Sequence, residues 1–237
     1  MHATIRAVTP TAHIELRYAV PPADEAWDLP EGPVPESISH AITLQHLQSV
    51  LALWASRAGR PLFVARNLAI RWLEERPSVG IDPDLCLLDP PPAELLELRS
   101  LCLWKPGHVA PALCFEVVSE THAYKDYVGV QERYAVFGAR ELVVFDPVLA
   151  GPRSLGGPLL LQIWRRNELG VFERCYTGSG PAFCETLGAW LLPRDRVLQI
   201  ADDRAGTKRW LTAEEQALGE IAELKREVAA LKNTNAR

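Results

Sequence analysis

Long apolar runs, paired cysteines, a basic leader and an excess of positive charge are all missing from this chain. No stretch approaches the roughly 18 apolar residues that span a bilayer, which argues against a membrane protein. The opening MHATIRAVTP has no basic start leading into an apolar core, so no secretion signal is expected. Cys86, Cys102, Cys114, Cys175 and Cys184 show no short paired spacing, and a zinc site is not expected. Cys86 and Cys114 fall in strand-like apolar runs, the pattern of reduced core thiols in a cytoplasmic protein. A net charge of −5 argues against a nonspecific nucleic-acid coat, although a local basic cleft remains compatible with it. There is no internal repeat, no low-complexity tract and no recognised DNA-reading module.

What is present is ordinary globular composition, 48% hydrophobic and 23% charged. At 237 residues the chain can build one substantial domain with an appendage. Residues 1–36 are polar and proline-punctuated, a wrapping segment with little regular structure. Leu47, Val50, Leu51, Trp54 and Ala58 then share one helical face, stopped by GRP at 59–61. LFVARNLAIRWLEE reads as one or two strands around Arg66-Asn67, and DLCLLD at 84–89 as a short buried strand. Residues 90–110 form a long connection before the strand ALCFEVVS. A helix over about 122–137 follows, with Ala123, Tyr127, Val130, Tyr134 and Phe137 as its apolar stripe and Gly138 as its stop.

ELVVFDP is another buried strand, and LLLQIWRR with VFERCYTG makes a hairpin. In the tail, Thr212 and Glu215 form a capping box, and Ile221, Leu224, Val228 and Leu231 step at heptad spacing for about two heptads. The expected organisation is a core with its wrapping segment over 1–150, a β-rich extension of the same domain over 151–208, and a C-terminal helix over 209–237. Helices alternating with short strands indicate an α/β or α+β fold with a mixed sheet.

Two carboxylates stand where apolar strands should be burying side chains: Asp84, opening one run, and Glu116, inside LCFEVV. On neighbouring strands facing one way, their oxygens converge on one hard divalent cation. Mg²⁺ takes oxygen ligands and keeps several waters, so two carboxylates and a backbone carbonyl suffice. Such an ion offsets the cost of a charge in a greasy strand and lowers the pKa of a bound water. Taken singly, Asp84 in DPD is also ordinary turn chemistry, and Glu116 is also a charge that protects an edge strand.

The ordered set Pro83-Asp84, Glu116 to Ser119, Asp126, Tyr134, Gly138 and Phe145-Asp146-Pro147 resembles the Uma2 (Uma-two) family of putative restriction endonucleases, within the PD-(D/E)XK nuclease superfamily. The resemblance is strong over residues 30–150. It implies a restriction-endonuclease-like mixed sheet flanked by helices. It also implies a metal-dependent endonuclease acting on DNA, with Mg²⁺ or Mn²⁺ held by Asp84, Glu116 and the carbonyl of Val117. Two positions depart from the pattern, since Val118 and Val130 stand where a catalytic lysine is usual.

Lys125 is therefore the expected cation of the site, stabilising charge on the phosphorane or orienting the attacking water. Glu36 is a candidate extra carboxylate, and His40, His122 and Asp126 are candidates for the site's edge. The bland reading makes Lys125 a solvated helix residue, His122 and Asp126 a surface pair, and Arg66, Arg71, Arg165 and Arg166 a sheet fringe rather than a phosphate groove. The alternative function is a catalytically inactive nuclease-fold protein that binds nucleic acid or a protein partner. A third reading is a structural module with Glu116 satisfied by hydrogen bonds. The terminal heptads are expected to dock on the domain or to pair two protomers weakly.

Overall fold

The computed structural model describes residue 28, residues 37–120 and residues 123–235; the side chains of 124, 125, 130, 230 and 233–235 lie outside that description. The expected wrapping segment, Glu36, His122 and the side chain of Lys125 fall outside it too; Asp28 alone of the segment is seen, bridging to Val79.

Helix α1 (Ile38–Arg57) starts where the Ser37 side chain accepts from the His40 backbone N–H at 3.3 Å, and Gly59 turns the chain away with φ +60°. Four strands follow: β1 (Phe63–Arg66), β2 (Ala69–Arg71), β3 (Gly80–Ile81) and β4 (Leu85–Leu88). Asn67, at φ +50°, makes the break between β1 and β2. Next come β5 (Ser100–Cys102) and β6 (Leu113–Val117), which leads through α2 (Ala123–Tyr127) and α3 (Val130–Phe137) to β7 (Glu141–Phe145). The single helix expected over 122–137 is two, because Gly129 adopts φ +72° and interrupts it. The hairpin β8 (Leu161–Arg166) and β9 (Phe172–Gly178), the strands β10 (Ala182–Cys184), β11 (Ala189–Arg194) and β12 (Val197–Ala201), and helix α4 (Ala213–Asn235) complete the chain.

The fold is mixed α/β. Its centre is a six-stranded sheet in the order β1-β4-β6-β7-β8-β9, in which only β6 and β7 run parallel. Two three-stranded sheets, β10-β11-β12 and β3-β2-β5, flank it. Side chains alternate across the central strands. Leu113, Phe115 and Val117 face a core shared with α1 and β10–β12, while Cys114 and Val118 face one shared with α3 and the β2 sheet. All five cysteines are free thiols. Among the described residues, no helix is long and apolar enough to cross a membrane.

Candidate active site

Strand β6 is central, paired with β4 on one side and β7 on the other, so Glu116 does not guard an edge. It is 1% exposed. A carboxylate held there needs partners, and one of them is the Tyr134 hydroxyl, which donates to Glu116 Oε1 at 2.6 Å. Burial, then the adjacent Glu116 charge, holds the Tyr134 phenol well above its usual pKa of 10, so it remains a donor at neutral pH. The apolar-stripe reading of Tyr134 missed this role; the available signal was that a buried tyrosine needs a partner for its hydroxyl.

Asp84 sits one residue before β4. The β4–β6 ladder starts at Leu85 opposite Phe115, and Asp84 stands one residue outside it, toward the Glu116 end of β6. The Asp84 carboxylate leans across the gap, and its Oδ2 accepts from the Val117 backbone N–H at 2.7 Å. On the other side stands His40, in the first turn of α1, with Nε2 at 3.2 Å from Asp84 Oδ2 and 2.9 Å from the Val117 carbonyl oxygen. A carbonyl only accepts, so Nε2 carries the proton and donates to both oxygens. Asp84 Oδ2 and Val117 O thus converge on a single point, the His40 Nε2–H.

Other expected residues fare differently. Asp126 is 4% exposed, and its expected partner His122 lies outside the described residues. Val118, at the usual lysine position, is 2% exposed in the apolar core. Three of the four arginines serve the fold. Arg71 bonds the Pro77 carbonyl, Arg166 bonds the carbonyls of Ala135, Ala139 and Gly170, and Arg165 pairs with Glu141 and Glu185. Asp146, the acid of the Asp-Pro element, is fully buried and accepts from Ala150 N, Gly151 N and the Tyr127 hydroxyl at 2.9–3.0 Å. It pins the loop after β7 beneath the Tyr127 ring, so close that a Cβ at Gly151 would lie 2.3 Å from that ring.

Among the described residues, no three His, Cys, Asp or Glu side chains gather closely enough to hold a metal ion. The donors that do meet are oxygens: one carboxylate and one carbonyl around the His40 proton, with the second carboxylate on Glu116, the residue before Val117 in β6. That chemistry fits a hard cation that retains several waters.

Four solved chains match the structure; one is a putative nuclease belonging to DUF820 from Anabaena variabilis ATCC 29413, 13% identical, with a TM-score of 0.44 over 65% of this chain and 76% of that one. No curated protein matches. A family model described as "Putative restriction endonuclease" matches residues 16–177, well over half of the chain. The chain belongs to that family, Uma2.

Proposed function

We propose that the protein is a metal-dependent endonuclease that hydrolyses phosphodiester bonds in DNA. The substrate class follows the family's description, and the observation that carries the reading is the convergence of Asp84, Val117 O and His40 at the carboxyl end of β6, one residue from Glu116. Asp84, Glu116 and the Val117 carbonyl would hold Mg²⁺ or Mn²⁺. Such an ion supplies charge neutralisation at the phosphate and a more acidic water. The chain's own residues do the rest. Tyr134 fixes the Glu116 carboxylate through its hydroxyl, and the Val117 N–H fixes Asp84. His40 aligns the Asp84 and Val117 oxygens and keeps a proton at their meeting point. Lys125, placed by the sequence two residues into α2, would stabilise charge on the phosphate.

The test is nicking of plasmid DNA with Mn²⁺ or Mg²⁺, beside calorimetric Mn²⁺ uptake, for the native chain and for Asp84→Asn and Glu116→Gln. Both activities are expected in the native chain, and both should vanish in each variant. Cleavage unchanged by the two substitutions would overturn the proposal. The buried Val118 favours a second reading, a quiet relative that binds nucleic acid or a protein partner. Mn²⁺ uptake and DNA binding without any nicking would select it.

A further inference from the structure

Helix α4 begins tethered and ends bare. Its start is fixed by the reciprocal capping box, with Glu215 N–H donating to Thr212 Oγ1 at 3.1 Å and Thr212 N–H to Glu215 Oε2 at 2.8 Å. Arg57 of α1 bonds Gln216, and Trp210 stacks on Trp54 with ring centroids 5.0 Å apart. From Ala217 onward every described residue is exposed. The exposed set includes Ile221 at 47%, Leu224 at 59%, Val228 at 50% and Leu231 at 65%. Four large apolar side chains stand in one stripe on a helix whose contacts with its own domain, among the described residues, lie at its first turn, and they call for a covering surface.

The chemistry of the stripe says what covers it. In heptad terms Ile221 and Val228 hold the a positions, and Leu224 and Leu231 hold d. β-Branched residues at a with leucine at d favour two parallel strands. The flanking charges agree: Glu220 and Glu227 hold g, while Lys225 and Lys232 hold e. In a parallel pair each g residue meets the partner's e residue five positions on, so Glu220 faces a lysine at 225 and Glu227 a lysine at 232. In an antiparallel pair g faces g and e faces e, which sets glutamate against glutamate and lysine against lysine. The helix carries five glutamates against three cations, so an anionic membrane surface or nucleic acid is a poor cover for it.

We propose that two copies of this chain pair in parallel and in register through α4. Parallel pairing sets both domains at the same end of the coil. Resting on the nuclease reading, it presents two cleavage sites to one duplex. A seam of about two heptads makes the pairing weak and concentration-dependent.

Sedimentation velocity of the full chain, without nucleic acid or metal, across the micromolar to submillimolar range tests the pairing independently of cleavage. The native chain should pass from monomer to dimer. E220K/E227K should raise the dissociation constant roughly tenfold or more, since four attractive contacts become repulsive. E220K/E227K/K225E/K232E should restore it. Leu231→Cys on a Cys175→Ser background should form a disulfide-linked dimer under mild oxidation, because d residues meet their own counterparts only in the parallel pair. A monomer throughout overturns the pairing and leaves the metal-site reading standing. An equally dimeric E220K/E227K chain overturns α4 as its seat, and a dimer that fails to cross-link at 231 overturns its direction.

Discussion

Adjacent parallel strands each bury a glutamate, and the two acids are provided for in opposite ways. Glu141 opens β7 and is fully buried. Its Oε1 takes Arg165 Nη2 at 2.8 Å and the Glu185 N–H at 3.2 Å, while Oε2 takes the Thr186 N–H at 2.9 Å and the Cys184 thiol at 3.3 Å. A cation and two backbone donors enclose it and lace β7 to β8 and to the segment after β10. Glu116 lies near the end of β6, where the chain leaves the sheet, and a phenol is among its partners. The first acid is neutralised by the protein. The second sits at the carboxyl end of a parallel strand, where open α/β sheets place ligands, and Asp84 and His40 meet at the next residue, Val117. A buried acid is therefore read from the charge of its partners, not from its burial.

The largest blow to that contrast is removal of the arginine. Arg165→Ala leaves Glu141 buried without its cation and should cost about 3–5 kcal/mol, the usual effect of breaking one side of a buried pair. In thermal denaturation this is a fall of about 10 °C for a chain of this size. Glu141→Leu together with Arg165→Met should recover most of the loss. A fall of a degree or less in Arg165→Ala would mean that the backbone donors alone satisfy Glu141.

Next in size is the response to a cation, which should separate the two glutamates. If Glu116 holds the ion as proposed, Mn²⁺ at about a hundred times its dissociation constant stabilises the fold by about 2.7 kcal/mol. Glu116→Gln should abolish that increment, and Glu141→Gln should leave it intact. Equal losses in both variants would erase the distinction.

Smaller again is Tyr134→Phe. It removes a hydrogen bond to a buried carboxylate, a loss of about 2 kcal/mol. With this donor gone, Glu116 should gain more from a cation, so the Mn²⁺ increment in Tyr134→Phe should exceed that of the native chain. Differential scanning with and without Mn²⁺ reads both numbers.

How much of this was legible beforehand differs between the same two acids. Asp84 and Glu116 stand out in the sequence because one opens an apolar run and the other interrupts one, but that the two runs pair as neighbours is a fact of the β4–β6 ladder. His40 was placed near the site, but its double donation depends on where α1 crosses the sheet, which no local pattern states. Glu141 gives no such signal, because at the head of ELVVF, next to Arg140, it only borders an apolar run. Its meaning rests on the β7–β8 register that sets it opposite Arg165, and register is a tertiary fact. The same limit hid the small β3-β2-β5 sheet, whose strands are two or three residues long. Heptads and capping were legible in α4 because both are local.

The finest test is a slope rather than a loss. Burial pushes the Glu141 carboxyl up, but the Arg165 hydrogen bonds and the Thr186 N–H outweigh it, so its folded pKa lies below the ordinary 4.5. A depressed folded pKa contributes stability that is complete above 4.5 and is lost as the pH falls through the folded value. Tyr134 has the opposite sign. Its folded pKa is raised above 10, so its contribution is whole below 10 and is lost as the pH climbs beyond it, and Tyr127, pushed up to about 12 by burial, adds to the same limb. The partners of the two glutamates therefore govern opposite ends of the stability profile. Glu141→Gln should flatten the acid limb and leave the alkaline one, and Tyr134→Phe should do the reverse; a Tyr134→Phe chain with an unchanged alkaline slope would show that the phenol is no tighter in the fold than in the unfolded chain.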